Sequence, residues 1–401
     1  MQKVKISEVC KITNGYAFKS DNYVTNDGAR VIRITNVQKG KIVDNDPKLY
    51  PYSELSNLDN YKIDENDILM SLTGNVGRVG KFPKELLPAY INQRVCRIKP
   101  KSDNLSDNYL YHFLNSDIFE NDAIRNSAGA AQLNLSTNWV LDYEIPLPDL
   151  PTQQKIAAIL DKADELRQYN QQLIEKYDAL TQSLFLEMFG DPINNPKKWK
   201  VNKLKEISTK IHSGNTPKGG SEVYVDKGIT FFRSQNVWKN KLVYEDIAFI
   251  DQLTHDKMLK SSLKHGDILM TKTGRINTEN SSLGRAAMYL GEDDKANING
   301  HVYLIRLKKD IINEFVLHIL TTKEYRGYIR SVCVGGIDKR QLNKEHIEEF
   351  PILNPPIELQ NQFAERIQVI ETQKQKAQEA LAKSEALFQG LLQQAFKGEL
   401  H

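Results

Sequence analysis

The sequence predicts an α+β chain that uses one plan twice: two sheet-rich units, each followed by a long polar helix. Three observations predict it. Motifs recur in the same order after about 200 residues, β-rich runs cluster ahead of two proline stops, and helical periodicity follows each stop.

The repeat rests on collinear matches. Residues 66–74 (NDILMSLTG) reappear as 266–274 (GDILMTKTG), and Arg33, Asn36 and Val37 reappear as Arg233, Asn236 and Val237. Further on, 91–98 (INQRVCRI) matches 298–305 (INGHVYLI), an offset of 207. Gly77-Arg78 pairs with Gly284-Arg285, so the second copy carries seven additional residues, 275–281 (RINTENS). Within each copy, short β-rich runs are separated by Gly, Asn, Asp and Pro turns, which reads as sheet. A short helical stretch follows (108–123 and 312–329), then a proline-marked stop (IPLPDLP and FPILNPP). The expected boundaries are 1–151 and 191–356 for the sheet-rich units, with 152–190 and 357–401 for the helices.

Each helix carries a heptad seam. The first runs Ile156, Ile159, Ala163, Leu166, Leu173, Tyr177, Leu180 and Leu184, with Asn170 as a polar member that sets register. The second runs Phe363, Ile367, Ile370, Ala377, Leu381, Phe388 and Leu391, with Lys374 and Ser384 as its polar members. Two seams of equal length, one per repeat, predict that the helices pack on each other. A helix of about 38 residues is roughly 57 Å long, a rigid spacer.

Composition narrows the function. At 401 residues, 40% hydrophobic and 26% charged, the chain has material for sizeable cores. The net charge of +3 excludes a histone-like polycation and an acidic tail. That charge is unevenly spread: 152–190 carries −2 and 356–401 carries −1, which leaves +6 on the rest. Cys10, Cys96 and Cys333 lie far apart in no C-x-x-C pair, which fits a reducing cytoplasm rather than a disulfide scaffold or zinc ribbon. No apolar h-region opens the chain and no run approaches 18 apolar residues, so neither secretion nor a membrane span is expected.

Two motifs imitate catalytic ones. GNTPKGGS (214–221) resembles a P-loop, but Gly220 stands where the phosphate-binding lysine is needed. Asn354-Pro355-Pro356-Ile357 resembles the turn with which adenine methyltransferases hold a flipped base, but Ile357 offers no flat ring to stack on it. The sequence contains no Glu-x-Lys of a nuclease core, and its eight histidines lack metal-ligand spacing. The residues describe a binder without catalytic, metal or cofactor sites of its own.

The duplication, with the helix-junction segments LPTQQKIAAILDKADELR, FLEMFGDPINNPKKW and LFQGLLQQAFKGEL, resembles the specificity (S) subunit of Type I restriction–modification systems along essentially the whole chain. The resemblance implies two target-recognition domains related by a pseudo-twofold axis and an antiparallel coiled coil of the two helices. Each domain then reads one half of a bipartite double-stranded DNA site. Two methyltransferase (modification) subunits and the restriction translocase/nuclease subunits dock on the chain, and S-adenosylmethionine, ATP and Mg belong to those partners. A related system with fused or rearranged catalytic subunits would leave the same trace. From a different class, a coiled-coil scaffold with two protein-binding domains competes, against which the basic excess of the globular units speaks.

If the half-sites differ, residues shared by both copies cannot explain the difference. Arg33, Arg233, Asn36 and Asn236 are therefore expected to be scaffold or phosphate contacts, and Arg78 and Arg285 phosphate contacts or solvated surface. Base readers should lie in divergent polar loops, since Arg suits guanine and Asn or Gln suits adenine. Candidates are Arg275, Asn277 and Asn280 of the insert, Gln93 and Arg94 against His301, and Gln132 against Lys339, Arg340 and Gln341. Lys19 and Lys218 complete the set in early Gly/Pro/Ser-flanked loops.

Overall fold

The computed structural model describes residues 2–129, 132–275, 281–336 and 339–400. Contacts gather the chain into two compact units, Met1–Gln172 with Ala377–His401, and Leu173–Lys376. Each unit thus holds one globular part together with a portion of both long helices.

In the first unit an antiparallel four-stranded sheet runs Cys10–Asn14, Val95–Pro100, Ile68–Ser71, Val79–Lys81. A second sheet places Gly28–Ile32 between Leu49–Pro51 and, in parallel, Ala89–Ile91. Successive side chains of a strand face opposite ways, and Ile68–Ser71 uses this fully. Ile68 and Met70 enter a core with Tyr109, Leu110, Phe113, Ile156 and Leu160, whereas Leu69 enters the core of Ile32, Phe82, Ala89 and Ile91. The strand is buried throughout because it is covered on both faces.

The second unit repeats the arrangement. Its main sheet runs Ser208–Ser213, Val302–Leu307, Ile268–Thr271, Ala286–Met288, and Ile229–Phe232 again pairs in parallel with Ala296–Ile298. Met70 opposes Cys96 in the first unit as Met270 opposes Tyr303 in the second. Ile268 and Met270 face one core and Leu269 the other. The duplication read from sequence is therefore a duplication of topology.

The two long helices are Leu150–Phe189 and Ile357–Lys397. They pair antiparallel in both units. In the first, Asn170 meets Ser384 and Arg167 lies over Phe388 with 5.2 Å to the ring centroid. In the second, Lys374 Nζ donates to Asp178 at 2.6 Å, and Phe363 packs edge-on to Phe189 at 5.3 Å between centroids. Both polar members expected to set register, Asn170 and Lys374, thus have partners on the opposite helix.

The second seam is buried or half-buried along its whole length. The first needs correction in one of its two rows. Ile156, Ala163 and Asn170 face inward, but Leu166 and Leu180 are exposed and Leu160 and Thr181 are buried instead. The inward row is 160, 167, 174 and 181, one residue after the expected row. Arg167 occupies it because its guanidinium stacks on Phe388 and bonds Asp164 at 2.6 Å.

Candidate nucleic-acid interface

The loops in which the two copies diverge converge on one end of each main sheet. In the first unit the chain leaves Ile68–Ser71 into the turn 72–78. Leu72 N–H donates to the Arg94 carbonyl at 2.9 Å, and its own carbonyl accepts from Leu135 N–H at 2.8 Å. Gly74 N–H donates to Leu133 at 2.8 Å, and Gln93 N–H to Tyr16 at 2.8 Å. Four loops, starting at 15, 72, 92 and 128, are thereby stitched together by backbone bonds, and Thr73 Oγ1 also donates to Asn134 Oδ1 at 2.9 Å.

Lys272 is the same node in the second unit. Its N–H donates to the His301 carbonyl at 2.8 Å, and its carbonyl accepts from Leu342 N–H at 2.9 Å. Thr273 and Gly274 pair with Gln341 and Arg340. Close approach forces glycine at the early loop. A Cβ on Gly15 would lie 2.1 Å from the Asn92 carbonyl oxygen, and one on Gly214 would lie 2.2 Å from that of Ile298.

Among the sequence-selected residues, Lys19, Gln93, Arg94 and Gln132 of the first unit are exposed on these loops. So are Lys218, Arg275, His301, Lys339 and Gln341 of the second, with Gln341 Nε2 donating to Asn343 Oδ1 at 3.2 Å. Asn277 and Asn280 lie outside the described residues.

The shared residues do structural work. Asn36 is buried, accepting from Arg33 N–H at 2.9 Å and donating to the Val43 carbonyl at 2.8 Å; Asn236 repeats this with Arg233 and Val243 at 3.0 and 3.1 Å. Arg33 and Arg233 pair with Asp46 and Asp246 at 3.2 and 3.1 Å. The two asparagines thus sit buried in their turns, bonded to the backbone of their own hairpins.

Three arginines need correction, because tertiary contacts occupy them. Arg78 donates to Gln38 Oε1 at 3.2 Å and lies 3.5 Å from Glu120. Arg285 is 9% exposed; its guanidinium sits 3.8 Å from the Trp238 ring centroid and its Nε donates to the Ser281 carbonyl at 3.1 Å. Burial lowers its pKa from the usual arginine value. Arg340 is half-buried and donates through Nη1 to the Cys333 carbonyl at 3.1 Å.

Two residues at the sheet ends escaped the sequence reading. Tyr16 is 38% exposed and stands edge-on to Phe18 at 5.1 Å. Lys272 replaces Leu72 at the node, its ammonium 5.6 Å from the Tyr303 ring centroid. The divergence rule that selected Arg275 also selects Lys272, which sits inside a motif otherwise read as shared.

The described residues contain no His/Cys/Asp/Glu group able to hold a metal ion and no helix long and apolar enough to cross a membrane. Comparison with known proteins agrees with the doubled plan. The chain is 24% identical to the StySPI specificity subunit of Salmonella potsdam, covering 98% of this chain and 88% of the relative. It is 23% identical to the EcoKI specificity subunit of Escherichia coli K12 over the same shares. The fold resembles the crystal structure of a Type I restriction-modification S subunit from M. genitalium, with a TM-score of 0.57 and 16% identity over 98% of this chain and 96% of the other. A chain from a study of complex assembly and conformational transition in a type I R-M system gives a TM-score of 0.54 at 19% identity, covering 100% and 98%. The model of the Type I restriction modification DNA specificity domain matches twice, over residues 1–176 and 196–382, and the chain belongs to that family.

Proposed function

We propose that this chain is the sequence-reading subunit of a Type I restriction–modification complex, each unit reading one half of a bipartite double-stranded DNA site. The observation that carries this is the convergence of the divergent loops at the Leu72 and Lys272 nodes, while the shared Asn36 and Asn236 are consumed by turns. An interface so built holds a common frame and varies what touches the bases, as phosphate positioning with separate base readout requires.

The long helices serve the protein partners. Their outer faces expose Leu166, Tyr169 and Leu387 in the first unit and Leu180 and Val369 in the second. Apolar side chains repeated along exposed helices suit docking of methyltransferase subunits, two in number, and through them of the restriction subunits. In this reading S-adenosylmethionine, ATP and Mg are bound by those partners, and the chain performs no catalysis.

Mapping methylated adenines in cells carrying the system tests the reading. A two-part motif with a fixed gap is expected. Exchanging turn 272–285 for 72–78 should alter one half of it and leave the other. A continuous motif, or a change in both halves, overturns the assignment.

A further inference from the structure

The two units differ in charge at one corresponding position, beside the loop between the third and fourth strands of the main sheet. The helix Asp117–Arg125 begins at Ser116, whose hydroxyl accepts from Phe119 N–H; Lys323–Val332 begins at Thr322, which accepts from Tyr325 N–H. Both seat against a glycine. A Cβ on Gly77 would lie 2.7 Å from Ala123, and one on Gly284 would lie 2.7 Å from Ile329. Asp117 therefore corresponds to Lys323, and Glu120 to Arg326.

In the first unit this site is neutral. Lys39 Nζ donates to Asp117 and, at 2.6 Å, to Glu120, while Arg78 lies 3.5 Å from Glu120. In the second unit Lys239 and Arg285 take the places of Lys39 and Arg78. The correspondence is fixed by backbone bonds: Gly40 N–H donates to Val79, and Asn240 N–H to Ala286, both at 2.8 Å. The facing helix now supplies Lys323 and Arg326, so two carboxylates are replaced by two cations.

Arg326 donates to the Gly284 and Ser281 carbonyls at 3.2 and 3.4 Å, and Ser281 also accepts from Arg285. Carbonyls orient the Arg326 guanidinium and add no countercharge to it. The acidic groups near Lys239 among the described residues are Glu324, Asp178 and, lining the same cavity, Glu371; Lys374 pairs with Asp178 at 2.6 Å and lies 3.9 Å from Glu371. Among the described residues Lys239 has no hydrogen bond or ion pair. Burial and the Arg326 charge lower the Lys239 pKa; burial, Arg330 and Arg285 lower that of Arg326. Neighbouring like charges disfavour one another, and an external anion relieves them.

We propose that Lys239, Lys323 and Arg326 form a clamp for a phosphodiester group of bound DNA, present in the second unit and absent from the first. The site favours DNA because Ser281, which its arginines hold, ends the 275–281 insert, and Gly274 at the insert's start is tied to the same sheet end as His301 and Gln341. The inference rests on the DNA-reading function proposed above.

Fluorescence anisotropy of the full chain with a labelled duplex, titrated with salt, tests it. Lys239→Gln and Arg326→Gln should each reduce the slope of log K against log salt by about 1 and weaken every sequence alike. Lys39→Gln, in the neutral site, should leave that slope unchanged. Among the described residues Lys239 makes no hydrogen bond, so its variant stays informative if Arg326→Gln unfolds. Intact wild-type binding with unchanged slopes in the variants overturns the clamp alone, as does loss of methyltransferase co-purification without a slope change. Failure of the wild-type chain to bind any duplex overturns the DNA-reading function and the clamp together.

Discussion

Asn170 donates through Nδ2 to Ser384 Oγ at 3.3 Å, joining the two long helices of the first unit by a buried polar bridge. The residues are 6% and 3% exposed, and Ala377 and Phe388 are buried along the same seam of the second helix. A buried polar pair in the seam penalises shifted registers, because slippage would leave the Asn170 amide buried without this partner.

Asn170→Ala should therefore cost about 1 kcal/mol by removing this bond, while the Ser384 hydroxyl keeps its own bond to the Leu381 carbonyl at 2.9 Å. In a double-mutant cycle, Ser384→Ala should recover part of that loss, with a coupling of about 0.5–1 kcal/mol. Urea unfolding of the four proteins measures it, and additive losses would remove the register role.

Phe363 sits among Phe185, Phe189 and Phe315 in the second unit, with centroids 5.6, 5.3 and 6.3 Å away. It is fully buried. Phe363→Ala should cost about 3–5 kcal/mol, and Phe363→Leu clearly less, because the cavity left is smaller. Thermal unfolding of both variants reads the difference.

Acid should weaken the first unit through Asp161. Burial alone would raise the pKa of this carboxyl, but bonds from buried His112 at 2.7 Å and from Asn108 at 2.6 Å outweigh it and hold it below the usual aspartate value. A lowered folded-state pKa means that the unfolded chain takes up the proton first. The contribution is therefore complete above the ordinary aspartate pKa of about 4 and is lost as pH falls through the lowered value. Asp161→Asn should flatten this acid limb of the stability curve, measured as urea midpoints between neutral and acidic pH. Parallel curves would place the acid sensitivity elsewhere.

Arg275 is exposed at the start of the insert, past a strand end pinned by the pairing of Gly274 with Arg340. Arg275→Ala should cost on the order of 1–3 kcal/mol on the proper site and relax discrimination at one base of one half-site. Binding titrations on single-base variants check this, and an equal loss on every sequence would mark a phosphate contact.

Much of the fold was legible because it is written in local pattern. The second helix seam, from Phe363 to Leu391, faces inward as its spacing predicts. The first seam was misread in the row of Leu166 and Leu180 because spacing scores leucine as inward. Packing instead turns Arg167 inward, where Phe388 and Asp164 receive it. At the interface, divergence located the loops but not their availability. Arg285 and Arg340 read as polar loop residues until Trp238 and the Cys333 carbonyl claim them.

By itself, the sequence determined the doubled α+β plan, the two long helices and the loops in which the copies differ. Each of these is a matter of period, propensity and order along the chain. Only the tertiary structure decided which cations are already neutralised. Lys39 and Lys239 occupy equivalent hairpins, yet one meets Glu120 and the other faces Arg326. Charge compensation depends on distance across the fold, where a carboxylate within a few ångströms governs and sequence separation does not.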